Sequence, residues 1–251
     1  MSFDPFSLSG KRVLVTGASS GIGRQIAISC SGMGAVVVAT GRNAARLDET
    51  MGRLHGDGHI AVAADLTDAA QRKTLVAAAG KVDGIVLAAG MSRLVPFRMT
   101  SEKHLDETFR NNTFAPLLLT QAMVAARQLS AGGSIVFIAS IGSHVGPVAS
   151  TAYAASKAAL LGAMRSIAQE VGGKAIRANC IAPGYVRTPM LEGLGQAGGQ
   201  LDALVELAPL GLGEPEDVAN AAVFYLSDAS RWITRTYFVV DGGLTIPMSI
   251  Y

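Results

Sequence analysis

Tyr153 and Lys157 stand four positions apart in the small-residue stretch Tyr153-Ala154-Ala155-Ser156-Lys157. On a helix, residues at that spacing share a face. A phenol with a pKa near about 10 exchanges protons poorly at neutral pH. A neighbouring ammonium favours the phenolate and so moves the group toward the range a general acid–base catalyst needs. The chemistry to expect is proton transfer to or from an oxygen. Alone, Tyr-x-x-x-Lys is a common string on solvated helices, so it needs partners before it means anything.

A second chemical feature is Thr16-Gly17-Ala18-Ser19-Ser20-Gly21-Ile22-Gly23-Arg24, which follows a short apolar run and opens into a segment of helical period. A strand feeding a helix N-terminus through glycines brings bare backbone N–H groups and the positive end of the helix dipole to a pyrophosphate. A nucleotide is the expected ligand. The spacing is G-x-x-x-G-x-G and not G-x-G-x-x-G, and no G-x-x-x-x-G-K-[ST] occurs, so kinase or ATPase chemistry has no support.

The next strand ends Ala39-Thr40-Gly41-Arg42-Asn43. A carboxylate there would accept from a ribose 2′-hydroxyl, whereas a guanidinium forms a fork with a 2′-phosphate. None of these residues is acidic, so Arg42 predicts NADP(H) in preference to NAD(H), against the plainer reading of a solvated arginine at a helix start. In Ala64-Asp65-Leu66, the carboxylate of Asp65 either accepts from an adenine amino group or caps the following helix.

The elements that must position these residues alternate along the chain. Short apolar runs at 12–15, 35–39, 59–63, 84–87, 134–139, 175–181 and 237–240 are separated by segments of helical character at 21–32, 43–54, 68–79, 101–129, 151–171 and 215–227. Continuous apolar runs suit strands buried on both faces, and strict alternation with helices implies a parallel sheet covered on both sides. No linker or repeat divides the 251 residues, so one α/β domain is expected. The exception to the rhythm is the glycine-studded stretch 185–214, including Gly193, Gly195, Gly198 and Gly199, which reads as a lid over a site.

Composition excludes several classes of function. With 21 Lys+Arg against 19 Asp+Glu and no cationic run, the chain lacks a surface for nucleic acid or anionic lipid. Cys30 and Cys180 form neither a disulfide framework nor a zinc spacing and are expected to be buried thiols in a reducing compartment. No basic-then-apolar leader begins the sequence and no apolar run is long enough to span a bilayer, so a cytoplasmic location is expected.

Taken in order, Thr16-Gly17-x-x-x-Gly21-x-Gly23, Asp65, Ala89-Gly90, Asn112, Ser140, Tyr153-x-x-x-Lys157 and Pro183-Gly184 resemble the short-chain dehydrogenase/reductase family, from residue 8 to residue 245. The resemblance implies a doubly wound, Rossmann-type, parallel seven-stranded sheet and a carbonyl/alcohol oxidoreductase, among whose relatives are 3-oxoacyl-carrier-protein reductases and broad ketone, sugar and steroid reductases. It implies that Tyr153 exchanges a proton with the substrate oxygen while hydride passes to or from the nicotinamide. Ser140 would hold that oxygen, Lys157 would bind the nicotinamide ribose and lower the tyrosine pKa, and Asn112 would anchor a water leading to solvent. It implies cofactor contacts from Gly17, Ser19, Ser20, Gly21, Ile22, Gly23, Arg42, Asp65, Leu66, Ala89, Gly90, Pro183, Gly184, Val186 and Thr188, besides Tyr153 and Lys157.

Each polar residue also has a plainer reading. Ser140 can turn the chain after its strand, and Asn112 can bond backbone in a distorted helix. The sequon Asn111-Asn112-Thr113 reads as chance.

Two departures from the family pattern stand out. Leu87-Ala88-Ala89-Gly90 replaces Asn-Asn-Ala-Gly after the fourth strand, and Thr234-Arg235 replaces Thr-Gly before the last, where Arg235 would be awkward at a positive φ. Candidate pocket residues are Met91 to Arg93, Ile141 to Val148 and Tyr185 to Leu194, a largely apolar set in which His144 and Arg93 are the polar exceptions and His144 reads as a hydrogen-bond partner. The apolar tail 244–251 is expected to contact a neighbouring subunit, as in the tetramers common in the family. Two rival readings are a cofactor-binding regulator without turnover and an epimerase or dehydratase using the same Tyr/Lys pair; the short region after the sheet argues against the latter.

Overall fold

The computed structural model describes residues 4–195 and 208–245. Seven parallel strands form one sheet in the order β3-β2-β1-β4-β5-β6-β7. They are β1 (Arg12–Thr16), β2 (Val36–Gly41), β3 (Ile60–Ala63), β4 (Val82–Leu87), β5 (Leu129–Ile138), β6 (Arg177–Pro183) and β7 (Tyr237–Val240). The helices between them are α1 (Gly21–Gly32), α2 (Ala44–Met51), α3 (Ala69–Ala79), α4 (Glu102–Phe109), α5 (Ala115–Ala125), α6 (Gly142–Val145), α7 (Thr151–Val171), α8 (Pro189–Gly195) and α9 (Pro215–Leu226).

Successive side chains of a strand point to opposite faces, and each face here is apolar. Leu14, Val38, Ile85, Ile135 and Phe137 belong to a core with residues of α3, α5 and α7, whereas Val13, Val15, Val37, Val86 and Val136 belong to one with residues of α1 and α9. Burial on both faces is why these strands read as unbroken apolar runs. From β1 the chain winds outward to β3, then returns to lay β4 against the free side of β1, with Thr16 opposite both Thr40 and Leu87. That reversal opens a crevice at the carboxyl ends of β1 and β4, the usual ligand position of an open α/β sheet.

Three differences from the sequence reading have a clear physical reason. Strand β5 begins at Leu129 and not near 134, pairing Leu129 with Val82 before the register shifts; the intervening Ser-Ala-Gly-Gly carries no β-branched residue to betray it. The single helix expected over 101–129 is α4 and α5 joined by a π-helical turn, Arg110–Phe114. Pro116 has no N–H and so removes the donor that an uninterrupted α-helix would offer the Asn112 carbonyl. Within the expected lid, Pro189–Gly195 is helical. The rest of that segment from 196 to 207, with Gly198 and Gly199, and the tail from 246 to 251 lie outside the described residues.

Arg235 does adopt a positive φ of 63°. Its N–H donates to the Ala178 carbonyl (2.8 Å) and its guanidinium to Gln169 (3.2 Å), contacts that hold it in the disfavoured region. After β4, where the family's asparagines are missing, the Thr16 hydroxyl accepts from the Ala89 N–H (3.0 Å) and ties the two central loops.

Candidate active site

A cavity of about 730 Å³ lies along the carboxyl ends of the central strands. Its floor at one end is the turn from β1 into α1. A Cβ on Gly23 would lie 2.4 Å from the Gly17 carbonyl oxygen, and one on Gly17, whose φ is +68°, would lie 2.9 Å from the Ala89 backbone. Both positions admit only glycine without rearrangement, and the tight turn they allow leaves the start of α1 open to an anion. Ser20 is the residue before the helix, and its side chain makes no capping bond to it.

Arg42 and Arg46 line the cavity beside this turn, with no carboxylate at the end of β2. Asn43 caps α2 by accepting from the Arg46 N–H (2.9 Å), which starts a helix that places Arg46 one turn beyond Arg42. The sequence reading missed Arg46, three positions after the Asn43 cap. Arg24, also in the turn, is committed elsewhere, to Thr50, Glu49 and the carbonyls of Ser19 and Arg46.

The two roles entertained for Asp65 separate cleanly. Asp68, not Asp65, caps α3, accepting from the Gln71 N–H. Asp65 Oδ1 accepts from the Thr67 N–H and hydroxyl (2.8 Å each), and the carboxyl is held below its ordinary range chiefly by that backbone N–H. Oδ2 makes no hydrogen bond among the described residues, and Asp65 lines the cavity.

At the other end, β5 delivers Ser140 and α7 delivers Tyr153 and Lys157. Burial pushes the Tyr153 phenol up, and a hydrogen bond with the Ser140 hydroxyl offsets this in part. Ser140 Oγ also accepts from the Gly142 N–H (3.1 Å), a bond set by α6. Lys157 is 4% exposed. Its Nζ donates to the Ile138 carbonyl (2.7 Å), and its pKa is pushed down to about 8 by burial.

Burial outweighs the lowering of the tyrosine pKa expected from Lys157. Nζ stands 5.9 Å from the phenol ring centroid.

For the Asn112 side chain, the plainer reading of a bond to backbone is the one the structure shows. The residue is fully buried, behind Gly90, and is not part of the cavity wall. Its Oδ1 accepts from the Met91 N–H (2.8 Å), and Nδ2 donates to the Met91 carbonyl (2.9 Å) and Ser156 Oγ (3.0 Å). Both amide hydrogens are spent on protein, so the side chain braces the loop after β4 against α7 and leaves only the backbone carbonyl for the expected water.

Every other residue expected at the cofactor or the reacting oxygen lines this one cavity: Gly17, Ser19 to Gly23, Arg42, Asp65, Leu66, Ala89, Gly90, Ser140, Tyr153, Lys157, Pro183, Gly184, Val186 and Thr188.

His144 points elsewhere. Its ring sits edge-on to Tyr237, 5.5 Å between centroids, with Nδ1 hydrogen-bonded to the Tyr237 hydroxyl. That hydroxyl also meets Ser143 Oγ (2.9 Å) and the Ser140 carbonyl (3.3 Å), while Ser143 Oγ itself donates to the Ser140 carbonyl (2.6 Å). Because Ser143 continues to satisfy that carbonyl, Tyr237→Phe is expected to cost only about 1 kcal/mol. A melting curve should show this as a fall of about 2–4 °C.

Comparison with known proteins agrees with this geometry. The family model described as "Enoyl-(Acyl carrier protein) reductase" matches residues 17–245. The chain is 38% identical over 257 residues to a D-threitol dehydrogenase of Mycolicibacterium smegmatis, covering 98% of this chain and 96% of that one. Among solved structures, one from Agrobacterium tumefaciens with bound NADP superposes with a TM-score of 0.88 at 33% identity, over 98% of this chain and 100% of the other. A 7α-hydroxysteroid dehydrogenase complexed with NADH superposes with a TM-score of 0.89 at 31% identity, over 96% and 97%. The chain belongs to the short-chain dehydrogenase/reductase family, oxidoreductases that interconvert carbonyl and alcohol groups with a nicotinamide dinucleotide.

Proposed function

We propose that the protein is an NADP(H)-dependent reductase of ketones, and dehydrogenase of the matching secondary alcohols, with Tyr153 as general acid and base. One observation carries this reading: a single cavity joins the glycine turn and the Arg42/Arg46 pair at one end to Ser140, Tyr153 and Lys157 at the other. The cradle fits a dinucleotide, since the glycines leave backbone N–H groups bare where a pyrophosphate would lie and Asp65, which lines the cavity, has one oxygen without a hydrogen bond among the described residues. Arg42 and Arg46 would hold a 2′-phosphate. A nicotinamide held in this cavity would supply a hydride to the carbonyl carbon in reduction or take one from the alcohol carbon in oxidation.

The chain's own residues do the rest. Ser140 holds the substrate oxygen by its hydroxyl, and Tyr153 gives that oxygen a proton in reduction and takes it back in oxidation. Lys157 has one of its N–H bonds fixed on Ile138, which leaves the others for ribose hydroxyls. Asn112 holds Met91 and Ser156 in place around this group, and its carbonyl is the site for a water carrying the proton outward.

Cytoplasmic location is supported by two buried thiols, and no helix among the described residues is long and apolar enough to cross a membrane. Self-association as a homotetramer is supported by exposed Trp232 and Phe238 near edge strand β7 and by Phe114 and Leu118 around the start of α5.

Incubation with reduced cofactor and a panel of ketones tests the reading. Consumption of NADPH, with a lower KM for NADPH than for NADH, is the expected result. A lower KM for NADH overturns the cofactor assignment, and tight cofactor binding with no consumption favours the regulator.

A further inference from the structure

Outward from Lys157, the described residues of the cavity wall carry no charge. Among the described residues four charged side chains line the cavity: Arg42, Arg46, Asp65 and Lys157. The first three stand at or just beyond the carboxyl ends of β2 and β3, and Lys157 lies at the inner end on the Ile138 carbonyl. From there to the mouth the wall includes Met91, Leu94, Ile141, Val148, Met190 and Leu191.

The basic side chains nearest this wall in sequence are turned away from it. Arg93 faces a separate depression with Lys103 and Arg110, Arg187 pairs with Glu214 (2.9 Å), and His144 is held on Tyr237.

Three of the wall residues also expose large apolar surface, Leu94 at 40%, Met190 at 41% and Val148 at 92%. The Val95 N–H donates to the Ala149 carbonyl (2.8 Å) and holds the loops bearing Leu94 and Val148 side by side. An apolar rim of this kind, continuous with a cavity, marks a ligand groove. A carboxylate or phosphate brought here would lose water without gaining a counter-ion, which is costly, whereas each methylene laid on the rim gains affinity.

Resting on the oxidoreductase reading above, we propose that the substrate is an uncharged ketone, or its secondary alcohol, whose extended apolar body runs from Ser140 and Tyr153 out over Leu94, Val148 and Met190. Acids with a carboxylate or phosphate next to the carbonyl are rejected by the absence of any cation in this wall among the described residues.

The test uses the intact protein with NADPH, a series of straight-chain methyl ketones, and the α-oxo acid matching one of them in length. The expected kcat/KM rises about threefold per added methylene over the first few and exceeds that of the α-oxo acid by about thirtyfold or more. Val148→Lys, at an exposed position that tolerates a long polar side chain, should narrow that gap by about three- to tenfold. Equal or better use of the α-oxo acid by the unsubstituted protein, or no gain with chain length, overturns the substrate class while leaving the oxidoreductase reading intact. No reduction of any member overturns that reading itself, and the substrate class falls with it.

Discussion

Tyr153→Phe should lower kcat for ketone reduction by about 10²–10⁴-fold, the usual worth of a positioned proton donor, while the Kd for NADPH changes by less than about threefold. The ring keeps its place because the substitution removes one oxygen from a buried side chain and adds nothing. Lys157 keeps its bond to the Ile138 carbonyl, and Ser140 keeps the Gly142 N–H. Folding and cofactor affinity are therefore the controls, and a rate that survives with both intact would remove Tyr153 from the chemistry.

The direction of the pKa shifts adds a second readout. Burial raises the phenol above its ordinary range, so Tyr153 holds its proton at neutral pH, as a reductase needs. Alcohol oxidation requires the phenolate, and its rate is expected to climb with pH through the alkaline range while the reduction rate does not rise. In Tyr153→Phe that dependence on pH should vanish, which a merely structural substitution would not accomplish.

The parts of the site legible from sequence are those whose geometry is local. The glycine turn is contiguous, and Tyr153 and Lys157 lie one helical turn apart, so periodicity alone puts them together. Ser140 follows its strand directly. The parts that the sequence left open depend on contacts between distant segments. Whether Asn112 faces a water or a backbone is settled by Met91 and Ser156, 21 and 44 positions away. The direction of His144 is set by Tyr237, 93 positions on.

Lys157 shows the same limit in energetic form. Spacing predicted an ammonium acting on a phenol, but burial dominates both groups, and burial is a property of the packed sheet and not of the helix. The fold was more legible than the site because strands buried on both faces advertise themselves as apolar runs. Where that signal lapses, at the Gly-containing start of β5 and at the π turn before Pro116, the expected boundaries failed too.

Arg42→Asp should reverse the cofactor preference, changing the ratio of kcat/KM for NADPH to that for NADH by about 10²–10³-fold. Two effects add. Removing the guanidinium forfeits a charge-assisted hydrogen bond to the 2′-phosphate, worth about 1.5–3 kcal/mol, or about 10–100-fold. The new carboxylate repels that phosphate and accepts from the 2′-hydroxyl of NADH, contributing about another tenfold. The position tolerates the exchange, since Arg42 makes no hydrogen bond among the described residues and Asn43, not Arg42, caps α2.

Arg46 moderates the outcome. It lines the same end of the cavity and keeps one cation near the phosphate, so the single substitution should leave measurable NADPH activity that Arg42→Asp combined with Arg46→Ala removes. Both variants retain Tyr153, Ser140 and Lys157, and kcat at saturating cofactor should stay within a few-fold of the parent. If the ratio does not move in Arg42→Asp, the phosphate is not held at the end of β2, and the assignment of NADP(H) from the sequence Thr40-Gly41-Arg42-Asn43 is wrong.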